Sequence, residues 1–342
     1  IQGLRPAIYV KGPDYARRDD KDGKFALEKA AVEAIGGRVA FTTAPAMSST
    51  AIINSQRERP IKAGLEEVLG WLDKAKLVNA DLIGEHITDW YTYVEPVGKA
   101  PKEELVVYRE MGDDTWQGGA AILQAHMAEA LAHVERLPSK PIVKHRYVSK
   151  PFLRKDYEEV REPYETPPLY PPDAFGADLV VVADYGHGLI RGKSRAKMIA
   201  ARAKFLALTV QSNGLNWGFN LLTKWPRADY FVVDQQELRL AKSDRWTPLQ
   251  DLLAEEFVRL GAKIGAVTLG HEGCMVYDGQ ALVTVPPLAD KVVDRMGAGD
   301  AFLAWTAGLA YLGAPAEIIG FVGNVAGGIK VGLVGNQPVK RE

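Results

Sequence analysis

Asp294-Arg295-Met296-Gly297-Ala298-Gly299-Asp300 runs straight into Ala301-Phe302-Leu303-Ala304-Trp305-Thr306-Ala307-Gly308-Leu309-Ala310-Tyr311-Leu312. A Gly-Ala-Gly turn ahead of an apolar helix leaves main-chain N–H groups that no side chain covers. The first N–H groups of a helix have no acceptor within it, and the helix dipole adds positive potential there, so such a turn binds anions. Asp300 falls in the first turn, beside that anion. A carboxylate so placed can take the proton from a hydroxyl that attacks phosphorus. The same residue also reads as the acidic cap of a buried helix.

Upstream of this turn the pattern is strand and helix in alternation. Apolar strands read at Leu179–Val182, Phe205–Val210, Tyr230–Val233 and Ile264–Thr268, with helical stretches between them. Continuous apolar strands separated by helices predict a parallel sheet covered on both faces. Ligands of such sheets bind beyond the carboxyl ends of the strands. Earlier, Asp81–Gly84 reads as a strand and Tyr91–Glu110 as an antiparallel excursion. Gly118-Gly119 opens a helix expected to run to about Val134, and Ile142–Tyr147 is a further strand. The Pro-, Tyr- and Glu-rich stretch 157–172 reads as a surface loop or lid.

The chain has 342 residues, about two domains by length. Hydrophobic residues are 47% and charged residues 25%, an ordinary globular mix. Lys plus Arg number 42 and Asp plus Glu 43, so no basic excess is available for a nucleic-acid backbone. A single cysteine, Cys274, excludes an intramolecular disulfide and reads as a buried packing residue. The uncharged stretch from Ala301 to Ala316 is shorter than the roughly 18–20 residues of a membrane span. No secretory leader opens the chain as given, and the expected setting is cytoplasmic, with neither nucleic acid nor membrane as partner.

Several ordered segments carry a resemblance. Ile83-Gly84-Glu85-x-x-x-Asp89, Gly118-Gly119-Ala120-Ala121, Ala183-Asp184-Tyr185-Gly186-His187-Gly188, Val267-Thr268-Leu269-Gly270-x-x-Gly273, the Asp294–Asp300 turn and Gly323-Asn324-Val325-Ala326 follow one another with fitting neighbours. Residues 79–342 therefore resemble the ribokinase-like (PfkB-type) carbohydrate kinases, most closely the heptose-phosphate kinase branch. The implied fold is α/β: a parallel sheet with helices on both faces and a small β lid. The implied reaction moves the γ-phosphoryl group of ATP to a hydroxyl of a sugar or sugar phosphate, a heptose phosphate being favoured.

The resemblance implies roles residue by residue. Asp300 is the general base, and Gly297, Ala298 and Gly299 hold the transferring phosphoryl through their N–H groups. Asp89, Gly118, Gly119 and Asp184 meet the acceptor. Lys144 and Arg146 resemble basic residues that face a sugar phosphate, and read equally as a charged surface strand. Thr268, Gly270, Gly273 and Asn324 lie on the nucleotide side. Asp234-Gln235-Gln236-Glu237 stands where the family has Asn-x-x-Glu; Asp234 and Glu237 read as Mg²⁺ ligands or as a helix cap. Asp294 is expected to help bind a monovalent cation such as K⁺. His187 reads as a hydrogen-bonding turn residue, and Trp71, Trp90 and Trp116 as packing between domains.

Residues 1–58 are similar to the tail half of heptose nucleotidyltransferases (cytidylyltransferase-like). There Lys11, Ser48, Ser49 and Thr50 correspond to residues that hold nucleotide phosphates. The six histidines give no H-x-G-H, so this half-domain as given is not expected to transfer nucleotides; further residues ahead of Ile1 would reverse that expectation. Residues 59–78, with apolar positions Ile61, Leu65, Val68, Leu69 and Leu72, read as a linker helix. Between the helix after Gly119 and the strand at Ile142 the family has another strand–helix unit where only Glu135–Pro141 stands; either that unit is lost or, the preferred expectation, residues are missing there. Two alternatives follow: a bifunctional kinase and nucleotidyltransferase making an activated sugar, or a non-catalytic binding or assembly protein on a kinase scaffold. The excursion at 91–110 resembles lid strands that pair between subunits, so a homodimer is expected.

Overall fold

A computed structural model describes residues 6–11, 24–41, 63–149, 154–162, 175–289 and 291–341. The chain divides into units Ile1–Glu58 and Arg59–Glu342. In the first, β1 (Ile8–Lys11) and β2 (Arg38–Phe41) pair in parallel across α1 (Lys24–Glu33), with Ile8 opposite Arg38. Lys11 forms an ion pair with Glu28 at 2.6 Å. Ser48, Ser49 and Thr50 lie outside the described residues.

The second unit starts with α2 (Leu65–Ala75). Val68 and Ala75 are buried in the main core, so this helix is part of the unit's packing as well as its entry. Beyond it come β3 (Asn79–Gly84), β6 (His133–Arg136), β9 (Leu179–Asp184), β10 (Phe205–Val210), β11 (Tyr230–Asp234), β12 (Ile264–Thr268), β13 (Cys274–Tyr277) and β14 (Leu282–Val285). They form one sheet in the order β14-β13-β12-β11-β10-β9-β3-β6. Pairings from β6 to β12 are parallel, while β12–β13 and β13–β14 are antiparallel. The expected parallel sheet is thus a mixed one. The turn at Asp278, whose Oδ1 accepts the N–H groups of Gln280 and Ala281, reverses the chain too tightly for a crossover helix.

Alternation along the strands builds two cores. Leu82 and Val181 face one side with Leu123, Phe302, Leu303 and Ile318; Ile83, Val180 and Val182 face the other with Ile199, Leu252 and Leu253. The helices are α3 (Ala120–Ala130), α7 (Ala298–Tyr311) and α8 (Ala316–Val331) on the first face, and α4 (Gly192–Arg202), α5 (Gln235–Lys242) and α6 (Leu249–Leu260) on the second. Each fully buried Leu, Ile or Phe contributes about 1.5–3 kcal/mol. Residues 301–310 of α7 are all buried, as expected for a core helix. Among the described residues no helix is long and apolar enough to cross a membrane.

The helix after Gly119 ends at Ala130, not near Val134, because His133–Arg136 pairs with β3 as an edge strand. The strand expected to be missing is therefore present in short form, and the chain passes from it to the lid within Leu137–Pro141. Exposed His133 and Glu135 keep that edge polar, which discourages pairing with other chains. The lid is a separate sheet, β5-β4-β7-β8, of β4 (His86–Lys99), β5 (Val106–Gly119), β7 (Ile142–Ser149) and β8 (Arg154–Arg161). Trp90 stacks on His145 inside it, ring centroids 4.0 Å apart. Cys274 is buried beside Gly320, and burial pushes its thiol up to about 12.

Candidate active site

Gly297 caps α7 in the left-handed region, φ 76°, which favours a residue without a Cβ. Among the described residues no side chain caps this end, and its N–H groups open into a cleft at the carboxyl ends of β10, β11 and β12. The cleft encloses 480 Å³. Asp234, Glu237, Thr268, Gly270, Gly297, Ala298, Gly299 and Asp300 all line it, with Gln211 and Arg295. The sequence had placed these groups in three separate motifs; the sheet brings them to one wall.

Asp300 is buried, and its Oδ1 accepts the Tyr185 hydroxyl at 2.9 Å and the Gln211 amide at 3.3 Å. Burial pushes its carboxyl up to about 6, against the pull of the Tyr185 bond and the charges of Lys330 and Lys144. A base with a pKa close to 6 is charged at neutral pH and still able to hold a proton in passing. Asp234 and Glu237 form a reciprocal cap: Asp234 Oδ1 accepts the Glu237 N–H at 2.7 Å, and Glu237 Oε2 accepts the Asp234 N–H at 2.9 Å. Glu237 Oε1 also accepts the Ser212 N–H at 3.1 Å. Burial, then the neighbouring Asp234 charge, raise the Glu237 carboxyl above its ordinary range. Among the described residues no three His, Cys, Asp or Glu side chains form a metal cage. Two carboxylates on a cleft wall suit a hydrated Mg²⁺ that arrives with nucleotide phosphates, since that ion keeps much of its water.

The acceptor-side residues lie on the lid. Asp89 of β4 is buried and pairs with Arg146 of β7; Arg146 Nε also meets Glu158 at 2.5 Å. Asn336 donates to Asp89 Oδ2 at 2.6 Å. A Cβ on Gly118 would lie 2.3 Å from that same oxygen, so glycine there makes room for the Asp89 carboxylate. Gly119 has φ 55° and starts α3 against the Glu85 carbonyl. Lys144 is buried, and burial with the nearby Arg146 lowers its pKa.

Residues 180–341 match the family described as pfkB family carbohydrate kinase. The fold is ribokinase-like: ribokinase from Thermotoga maritima superposes with a TM-score of 0.60 at 15% identity, covering 76% of this chain and 95% of that one. An "uncharacterized sugar kinase" of Archaeoglobus fulgidus is 42% identical over 74 residues, 22% of this chain and 28% of that protein. "Bifunctional protein HldE" of Pseudomonas aeruginosa (strain LESB58) is 31% identical over 233 residues, 61% of this chain and 44% of that protein. The chain thus spans less than half of the length of either curated relative.

Within the pfkB-like frame, some residues singled out in the sequence stand elsewhere. Asp184 is fully buried and turned from the cleft: its carboxylate holds Lys224, Trp225 Nε1 at 3.0 Å and Asn220 Nδ2 at 3.3 Å. Asn324 donates to the carbonyls of Val285 and Pro286, at 3.3 and 2.5 Å, and Gly273 serves the tight turn against Val285. Asp294 accepts N–H groups from Met296 and Gly335. His187 is a buried turn residue, with Nδ1 2.5 Å from Glu162 and Nε2 3.3 Å from Asn213. Trp116 packs on Gly335 within the second unit.

The sequence motifs contain Tyr185 and Glu85 but gave them no role, and they left out Gln211 and Asn336. Glu85 is buried, its carboxylate accepting N–H groups of Tyr185, His187 and Leu189, and burial raises its pKa. It fixes the loop that presents Tyr185. Gln211 stands just past the end of β10, where the strand-end rule points.

Proposed function

We propose that the second unit phosphorylates a sugar or sugar phosphate with ATP. The observation that supports this best is the placement of Asp300 in the first turn of α7, on the same cleft wall as Asp234, Glu237, Thr268 and Gly270. Asp300 takes the proton from the acceptor hydroxyl as that oxygen attacks the γ-phosphorus and the bond to the β-phosphate oxygen breaks. The N–H groups of the Gly297–Gly299 turn hold the charge on the transferring phosphoryl. Asp234 and Glu237 would hold Mg²⁺ through its waters, and that ion would neutralise the nucleotide phosphates. Asp89 and Gly118 orient the acceptor from the lid, and Asn336, beyond the last helix, holds the Asp89 carboxylate. A heptose phosphate is the favoured acceptor, on the strength of the branch that the motifs resemble and of Lys144 beside the acceptor residues.

The test is ADP release with a panel of sugars, hexose phosphates and heptose phosphates. Turnover with at least one, abolished in Asp300→Asn at unchanged folding, is expected. Undiminished turnover in Asp300→Asn removes the base; no turnover with any acceptor, despite Mg²⁺–nucleotide binding, favours a binding protein on the same scaffold.

A second reading, an added nucleotidyltransferase activity, is favoured by the parallel β1-α1-β2 arrangement of the first unit. Pyrophosphate release from CTP or ATP with a sugar 1-phosphate tests it. Pairing of two copies through the lid is also proposed, because Val106, Val107, Tyr108 and Met111 of β5 are exposed. Light scattering should then give twice the chain mass, and a monomer would reject it.

A further inference from the structure

Lys330 is a buried cation to which the proposed reaction gives no part. It lies in the last turn of α8 with no exposed surface. Its Nζ donates to the Gly335 carbonyl at 2.9 Å, while the Gly335 N–H donates to Asp294 Oδ2 at 3.3 Å. One residue thus ties the ammonium to the carboxylate that opens the anion-binding turn. The N–H groups of Val293 and Asp294 both donate to Val331 O, at 2.7 and 3.0 Å, and clamp the turn to the end of α8. From the Cβ position of Gly297, Lys330 Cε is 3.2 Å away and Nζ 3.8 Å. The ammonium therefore lies beneath the turn, within electrostatic reach of Asp294 and Asp300.

This arrangement does not fit a monovalent cation at Asp294. Both Asp294 oxygens accept main-chain N–H groups, and the adjoining Gly335 carbonyl is taken by Lys330. A second positive charge would meet the ammonium in a buried setting, where like charges repel most.

We infer that Lys330 is a tethered cation that does here what a bound K⁺ would otherwise do. Its charge fixes the Asp294–Gly335 clamp and strengthens anion binding at the Gly297 turn, so this chain works without a monovalent ion. It is a positioning residue. Its role in turnover rests on the kinase reading; its role in the clamp does not.

The test compares choline, sodium and potassium chlorides at equal ionic strength, on the whole protein. In the wild type, melting temperature and Mg²⁺–ADP affinity are expected to be the same in all three salts. Lys330→Ala empties the position, so its Mg²⁺–ADP affinity is expected to fall about tenfold or more in choline and its melting temperature to rise selectively with K⁺. Lys330→Met fills the volume without charge; it should lose the affinity, with no K⁺ response. A K⁺-selective rise in wild-type melting overturns the inference. So does wild-type nucleotide affinity in both variants. If no acceptor is ever phosphorylated while the melting and binding pattern holds, the kinase reading fails and the tethered cation stands.

Discussion

The Tyr185 hydroxyl donates to Asp300 Oδ1 at 2.9 Å, joining the end of β9 to the first turn of α7 across 115 residues of sequence. Burial raises the Asp300 carboxyl to about 6, and this bond is the largest of the effects that hold it down. Tyr185→Phe removes the donor and leaves the ring. The carboxyl pKa then rises, and the acid limb of the kcat/KM profile moves to higher pH. The same profile in the wild type should fall below about pH 6. A limb that does not move in Tyr185→Phe would mean that Asp300 is not the group titrating.

Asp300→Asn separates catalysis from stability. Loss of a general base costs about 10²–10⁴-fold in turnover. The folded carboxyl lies above its ordinary 3.8, so the native state binds the proton more tightly than the unfolded chain. That contribution is complete below pH 4 and is lost as pH rises through 6. The wild type therefore carries a penalty of about 2–3 kcal/mol at pH 7.5 that Asn does not. Denaturant melts should find Asp300→Asn more stable than wild type at pH 7.5, with the gap closing toward pH 4. Equal stability at pH 7.5 would count against the buried, raised carboxyl.

What could be read in the sequence was what depends on neighbours along the chain. The Gly297 turn and α7 follow from local capping and an apolar run, and Leu179–Val182 declares a buried strand by composition. β6 was missed because His133-Val134-Glu135-Arg136 offers a single buried apolar residue and follows a helix after two residues. Its pairing with Asn79–Leu82 is a tertiary fact. Asn336 reaches Asp89 over 247 residues, and no spacing rule spans that distance. The position of Asp184 at a strand end was legible. Its direction was not, because Lys224 and Trp225, forty residues on, decide it.

Asp234→Asn distinguishes a cap from a metal ligand. Asn caps helices about as well as Asp, so the bond from the Glu237 N–H survives and the melting temperature should change little. The negative charge on the cleft wall is lost. The Mg²⁺ concentration giving half-maximal turnover should rise severalfold. An unchanged Mg²⁺ requirement would leave Asp234 as a cap alone.

Gly118→Ala places a methyl group 2.3 Å from Asp89 Oδ2. The carboxylate must move, and its bonds to Arg146 and Asn336 go with it. Overpacking of this kind costs about 1–3 kcal/mol. The acceptor KM should rise about tenfold, the worth of one or two lost hydrogen bonds, while nucleotide affinity stays as it was. A change confined to nucleotide affinity would place the lid residues on the wrong substrate.

Asp184→Ala tests a residue that the sequence assigned to substrate and the fold holds in its core. The change takes the counter-charge from the Lys224 ammonium, whose side chain is 12% exposed and which keeps its bonds to Ile190 O and Asn220 Oδ1, and removes the acceptor of Trp225 Nε1. Breaking a buried ion pair from one side costs about 3–5 kcal/mol. Urea melts should register that loss. Below its lowered melting point the variant should keep an acceptor KM within about twofold of wild type, since no group at the cleft wall has changed. A KM raised tenfold at unaltered stability would return Asp184 to the substrate.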